Sequence, residues 1–263
     1  MILAFGRFKA TITRFLLRPR ITVSGRDDTI RLGSEYGGWA LVDDPELYGS
    51  TILSFGLGED ASLDVEFAAR YGATVMIFDP TPRAMAHFEH LSQQIGKRAS
   101  QPYVSGGKQP VGAYNLSEVA PHQLKLFELA VSDRSGTSKF FAPANNSHVS
   151  YSLVNLQNSQ DLSASHITVD VTSVADIQAL IPLGTVSLVK MDIEGAEILV
   201  LHKMLETDFL PKQLLVEFDE LNFPSGAART RFYRTHRRIH NSGYHVSFWD
   251  KRSCISYRRN AVT

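Results

Sequence analysis

The stretch TILSFGLGED, from Thr51 to Asp60, constrains this chain more than any other. A β-branched and aromatic run, Thr51 to Phe55, breaks at Gly56 and Gly58 into a helical pattern reaching about Tyr71. Leu63, Phe67 and Ala68 share one face of that helix, and Gly72 stands where a C-terminal glycine would end it. A second run, Thr74 to Phe78, stops at Asp79 and Pro80. Strand, glycine turn, helix and strand is the repeating unit of a parallel sheet, whose ligands sit at the carboxyl ends of its strands. Gly56 adopts dihedrals that other residues resist, and Gly58 lets a ligand reach the main chain where helix N–H groups are free. Asp60 or Ser62 is placed to cap the helix. Asp79, about twenty residues beyond the turn, is placed to accept hydrogen bonds from ribose hydroxyls.

These features point to an adenosine-containing ligand and leave its identity open. Gly56-x-Gly58-x-x-Ala61 also satisfies the dinucleotide fingerprint, so a nicotinamide-dependent oxidoreductase stands beside a methyl-donor enzyme. Glu59 and Asp60 favour the methyl donor. A pyrophosphate would meet both carboxylates at a like-charge cost, whereas an aminoacyl sulfonium carries positive charge that nearby acids stabilise. The same acids also suit the dipole at a helix N-terminus.

Further along, short apolar runs alternate with helical patterns, as in a sheet covered by helices on both faces. Helix is expected from Pro82 to about Gln94, and Ile95 to Gln123, rich in Gly, Pro and Ser, reads as a long surface loop or lid. Leu124 to Val131 reads as a strand that turns through SDRSG into a hairpin with TSKFF. Asn145 to Ser165 is polar. Strands are expected at His166 to Thr172, Val186 to Met191 and Leu214 to Phe218, with helices at Val174 to Leu180 and Arg229 to Asn241. Tyr244 to Trp249 pairs with Cys254 to Arg258 across the turn DKRS. No linker divides the chain, so residues 36–263 read as one domain, preceded by an N-terminal segment, 1–35, expected to be helical and packed on it.

Composition sets the outer bounds. The chain has 263 residues, 27 basic against 27 acidic, so no net charge draws it to nucleic acid or an anionic membrane. A single cysteine, Cys254, points to a reducing compartment, the cytoplasm. Arg7, Lys9 and Arg14 interrupt any signal-peptide core, and no stretch nears the roughly eighteen apolar residues of a membrane span. The arginines from Arg229 to Arg238 recur at helical spacing, as on a solvated face.

A second constellation, Lys190-Met191-Asp192-Ile193-Glu194-Gly195-Ala196-Glu197, sits where a buried strand meets a helix. If the strand pattern continues, Asp192 and Glu194 lie on one side, at the ligand edge of the sheet; either acid could also cap the helix. The run VSLVKMDIEGAEILVLHKML resembles the hallmark of FkbM-type methyltransferases, with its strand, D-x-E-G-x-E and helix. SFGLGEDASLDVEFAARYGATVMIFDPTP and LAVSDRSGTSKFF resemble the donor-binding half and third-strand region of the same family.

The resemblance implies a Rossmann-like, seven-stranded class I methyltransferase sheet, with a C-terminal antiparallel hairpin supplied by YHVSFWDKRSCISYRR. It implies S-adenosylmethionine as cofactor and O-methylation of a sugar, glycan or small-molecule natural product. Gly56, Gly58, Glu59 and Asp60 would contact the amino-acid part of the donor, and Asp79 its ribose. Backbone at Ala130 and Val131 would edge the adenine, and Asp192 would sit near the transferred methyl. Candidate bases are Asp192, His148, in the polar loop NNSHVSYS, Glu217 and Asp219, with Asn222 similarly placed. No metal is assigned. A non-catalytic binding module with the same fold remains the third reading.

Overall fold

The computed structural model describes residues 19–24, 28–141, 166–181 and 186–260. The expected N-terminal helix lies, up to residue 18, outside the described residues, as does the polar stretch holding His148.

Within the expected helical segment, Thr29–Leu32 is instead a strand, β1, paired antiparallel with β2, Trp39–Val42. The central unit follows as expected: β3 (Thr51–Phe55), α1 (Ser62–Tyr71), β4 (Thr74–Phe78) and α2 (Pro82–Ser92). Then come β5 (Leu124–Phe127), β6 (Ala130–Ser132), β7 (Gly136–Phe141), β8 (His166–Ser173) and α3 (Val174–Leu180). The chain closes with β9 (Val186–Met191), α4 (Glu197–Glu206), β10 (Gln213–Glu217), α5 (Asp219–Asn222), α6 (Gly226–Asn241), β11 (Tyr244–Trp249) and β12 (Cys254–Arg259).

The main sheet has seven strands in the order β11-β12-β10-β9-β3-β4-β5. Its strands β10, β9, β3, β4 and β5 run parallel, and β12 is inserted antiparallel between β10 and β11. Side chains alternate between two cores. Ile52, Val75, Ile77, Leu188 and Leu215 pack with α1 residues Leu63, Phe67 and Ala68. Leu53, Phe55, Val189, Met191 and Val216 pack with Val200 and Leu201 of α4 and Phe232 and Ile239 of α6. Burial on both faces explains why these strands read as continuous apolar runs rather than alternating ones.

Two expectations need correction. The strands flanking SDRSG do not pair with each other: β8 lies between them, parallel to β6 and antiparallel to β7. The eight-residue β8 satisfies backbone groups on both of its edges, which a β6–β7 hairpin could not do. Residues 95–123, expected as a surface loop, are irregular yet anchored. Tyr114, Leu116 and Val119 enter the core beside α1, and Gln123 donates to the Ala68 and Ala73 carbonyls at 3.1 Å each.

The β1–β2 hairpin is fastened by buried polar side chains. Fully buried Gln213 on β10 accepts from Val42 N and donates to Val42 O, both at 2.9 Å, standing in for a strand ladder. Ser256 on β12 donates to the Ala40 carbonyl at 2.6 Å. Replacing Gln213 with Leu would keep the volume and leave both Val42 groups buried without partners. We expect Gln213→Leu to lower unfolding stability by about 2–4 kcal/mol, seen as a reduced urea midpoint at unchanged m-value.

Candidate active site

The chain direction across the sheet reverses at β3, flanked by β4 and β9, and a cavity of about 930 Å³ opens at the carboxyl ends of these strands. Its wall brings together Gly56, Gly58, Glu59, Asp60, Asp79, Ala130, Val131, Asp192, Glu217, Asp219 and Asn222. His148 lies outside the described residues.

Gly56 has φ of 84°, and a Cβ there would stand 1.9 Å from the Asp192 carbonyl oxygen. Glycine is thus required by the loop after β9 as much as by the turn. Gly58, at φ 59°, has open space where its Cβ would be. Ala61, rather than Asp60 or Ser62, is the N-cap of α1, and it contributes no side-chain hydrogen bond. Asp60 Oδ1 still accepts from Ser62 N at 3.0 Å, while its Oδ2 accepts from Ser34 Oγ at 2.6 Å. Glu59 is buried and paired with Lys108 Nζ at 2.8 Å, and its carbonyl accepts from Gln109 N at 2.9 Å. The anchored 95–123 segment therefore closes over the turn at this point.

Asp79 lines the cavity, yet its carboxylate is committed to the chain. Oδ2 accepts from Leu57 N at 2.9 Å and Gly58 N at 3.0 Å; Oδ1 accepts from Thr81 N at 2.8 Å and Thr81 Oγ1 at 2.6 Å. A carboxylate offers about four acceptor positions. Asp79 is thus the clasp of the glycine turn, and a ribose at this position would share its carboxylate with those N–H groups.

The second loop differs from its expected form. β9 ends at Met191, and Glu194 adopts φ of 54° with Gly195 at 95°, so strand geometry stops short of these acids, yet Asp192 and Glu194 both line the cavity. The N-cap of α4 is Ala196, with no side-chain bond of its own, and Glu197 holds the preceding loop, accepting from Ile193 N at 3.0 Å and from Gly195 N at 3.0 and 3.2 Å. Lys190, nearly buried, donates to the Gly56 carbonyl and lies 3.8 Å from Asp192 Oδ2 and 6.0 Å from the Trp39 ring centroid. It ties both loops together.

At the end of β10, Glu217 Oε1 accepts from Asn222 Nδ2 at 2.8 Å and Ser253 Oγ at 3.0 Å. Burial, then the neighbouring Asp192 charge, pushes its carboxyl up to about 7, while those hydrogen bonds pull the other way. Burial and Asp192 likewise raise Asp219 to about 6, against the pull of Asn222. The arginines of α6 stand apart from this chemistry: Arg231 pairs with Glu220 at 3.2 Å and Arg238 with Glu206 at 3.6 Å.

The cavity wall also includes residues that sequence reasoning missed, Arg31 and Glu35 to Ala40 from the β1–β2 hairpin, and Ser253 and Cys254 from the start of β12. A usable signal was present: TIRL and WALV flank a turn rich in glycine, Gly33, Gly37 and Gly38.

The family described as the methyltransferase FkbM domain matches residues 49–246, three quarters of the chain. The protein belongs to the FkbM methyltransferase family. Among solved structures it is similar to a methyltransferase FkbM from Methylobacillus flagellatus KT, with 12% identity and a TM-score of 0.45, over 80% of this chain and 43% of that one. This chain thus spans less than half of that structure. It is also similar to the fibrillarin pre-rRNA processing protein of Methanococcus jannaschii (10% identity, TM-score 0.38, 91% of this chain and 86% of that). A third similarity is to TYW2 of M. jannaschii in complex with AdoMet (10% identity, TM-score 0.30, 90% and 89%). No curated protein matches.

Removing the clasp should be costly in two ways. Asp79→Ala is expected to lose about 2–4 kcal/mol of unfolding stability, since Leu57 N and Thr81 N are left buried and unpaired. In protein that remains folded, S-adenosylhomocysteine affinity should fall by about one to two orders of magnitude, measured by calorimetric titration. Unchanged affinity would remove Asp79 from the turn's support.

Proposed function

We propose that this protein binds S-adenosylmethionine on the Gly56–Asp60 turn and methylates a hydroxyl of a glycan or small-molecule acceptor held near Asp192 and Glu217. The observation that carries this reading is one continuous cavity whose wall holds both the glycine turn and the half-buried Glu217, its carboxyl raised to about 7. When bound, the cofactor supplies an electrophilic methyl on a positively charged sulfur.

The residues present fit such a group. Open space above Gly58 admits a ligand against the main chain, and Glu59, Asp60 and Asp192 surround it with acid. Acids at the glycine turn and at the end of β9 favour a cationic ligand over a pyrophosphate, and with the family membership this favours the methyl donor over a nicotinamide cofactor. Phe78, Ala130 and Val131 provide an apolar wall suited to an adenine.

On the acceptor side, Glu217 is held by Asn222 and Ser253 with a carboxyl near neutrality, where a general base is most effective. It takes the proton of the acceptor hydroxyl as the oxygen gains its bond to carbon. Asp192 contributes charge beside the reacting atoms and, through Lys190, stays in register with Gly56.

Binding is tested by titration with S-adenosylhomocysteine and with nicotinamide cofactors, and turnover against a panel of hydroxylated compounds. Nicotinamide binding with no response to S-adenosylhomocysteine would sink the proposal, and donor binding without any transfer would favour a binding module. Because Glu217 acts ionised, turnover should fall as pH drops through about 7. Glu217→Gln should lose roughly two to four orders of magnitude in kcat together with that acid limb. The same ionisation bears on the ligand charge. As pH rises through about 7, affinity for the sulfonium S-adenosylmethionine should rise relative to that for the neutral thioether S-adenosylhomocysteine. A ratio flat from pH 6 to 8 would place Glu217 beyond electrostatic reach of the donor.

A further inference from the structure

We propose that Tyr36, in the turn between β1 and β2, is an acceptor-positioning residue whose ring and hydroxyl form the wall of the cavity facing Asp192 and Glu217. This rests on the methyltransferase reading above and extends it to residues preceding the matched 49–246 span.

The turn that carries Tyr36 is fastened by hydrogen bonds on both sides of the tyrosine. Gly33 N donates to Glu66 Oε2 at 2.7 Å, and Ser34 N donates to Ser62 Oγ at 2.7 Å. Ser34 Oγ donates to Asp60 Oδ2 at 2.6 Å and accepts from Gly37 N at 2.8 Å. Gly38 N donates to the Ser34 carbonyl at 3.0 Å, closing the turn. A Cβ on Gly37 would lie 2.6 Å from the Asp60 carboxylate, so glycine here lets that carboxylate reach the turn.

Tyr36 itself is 66% exposed, one of few large apolar side chains so placed among the described residues, and it lines the cavity together with half-exposed Phe223. An exposed aromatic held on a rigid turn is a contact surface that costs little entropy to use. Its position is fixed from the other side by Gly107, where a Cβ would stand 2.7 Å from Tyr36 Cε1 and 3.0 Å from Cζ. Gly107 has no positive φ to explain it; the glycine makes room for the ring. Two segments distant in sequence are thus fitted to each other over the site.

Tyr36 shares the cavity wall with Asp192, Glu194 and Glu217. Burial raises the phenol first, followed by the charges of Asp192, Glu217, Glu194 and Asp60 in that order. The hydroxyl therefore remains protonated and donates. It orients an acceptor oxygen toward the base while the ring packs against the acceptor's body.

The test compares the wild type with Tyr36→Phe, Tyr36→Ala and Gly107→Ala, the last of which leaves the phenol chemically intact and displaces it. Each is titrated with S-adenosylhomocysteine and assayed across one panel of methyl glycosides, phenols and hydroxy acids. Expected are S-adenosylhomocysteine affinities within about threefold of wild type in all variants. Acceptor KM should rise about tenfold or more in Tyr36→Ala and Gly107→Ala, with a changed order of preference among acceptors, and Tyr36→Phe should keep the order and raise KM less. Unaltered KM and preference in Tyr36→Ala would overturn the proposal. A tenfold loss of S-adenosylhomocysteine affinity would overturn it also, moving Tyr36 to the donor. A wild type that fails to bind S-adenosylhomocysteine, or binds it and methylates nothing in the panel, would overturn the underlying methyltransferase reading and this proposal with it.

Discussion

Gly56 and the carbonyl of Asp192 are packed so closely that no methyl group fits between them, and the site is organised around that contact. Asp192 N donates to Phe55 O, linking the loop after β9 to the end of β3, and Gly56 N donates to Phe78 O at the end of β4, both at 3.0 Å. Lys190 then reaches from β9 to the Gly56 carbonyl and stands beside Asp192, so one cation serves both loops. Burying a lysine is costly unless it is paired. The pairing extends inward to Asp64, whose wholly buried carboxyl is pushed up to about 6 by desolvation and drawn back by Lys190.

Two acids carry out parallel structural tasks on either side of this contact. Asp79 gathers the N–H groups of Leu57, Gly58 and Thr81, and Glu197 gathers those of Ile193 and Gly195. Each loop leaves its strand with N–H groups that no neighbouring strand can satisfy, and a carboxylate from the chain takes them. Burial holds Glu197 well above the usual carboxylate range, and the nearby Asp219 adds to that; the loop N–H groups oppose both. Among the other acids of the cavity wall, Asp192, Glu217 and Asp219 stand at the carboxyl ends of β9 and β10.

The sheet was legible because its strands are buried on both faces and so stand out as apolar runs bounded by Gly, Asp and Pro, as at Phe55–Gly56 and Phe78–Asp79. The glycine turn was legible for the same reason. Side-chain commitments were not. Whether Asp79 waits for a ligand or clasps Leu57 and Gly58 depends on a few tenths of an ångström that spacing does not encode. Glu194 breaks strand alternation by adopting a left-handed backbone, which a pattern of period two cannot anticipate. The part played by Arg31 to Ala40 was hidden for a different reason. That hairpin reaches the site only because Gln213 and Ser256, near the other end of the chain, bond its backbone, and a single-sequence reading has no means of pairing them.

The electrostatics of the cavity follow from this division of labour. Acids approach from both ends, Glu59 and Asp60 from the glycine turn and Asp192, Glu217 and Asp219 from the β9 and β10 ends. Lys108 neutralises Glu59 from outside and Lys190 stands beside Asp192, but the pair at Glu217 and Asp219 is left to amide and hydroxyl partners. Neutral donors stabilise a carboxylate less than a cation would, and burial then raises both carboxyls toward neutrality. A carboxyl that is half ionised near pH 7 is of little value as a structural anion and of most value as a proton acceptor. Asp79 and Glu197 are thus committed to backbone N–H groups, whereas Glu217 is held by an amide and a hydroxyl and its carboxyl is raised to about 7.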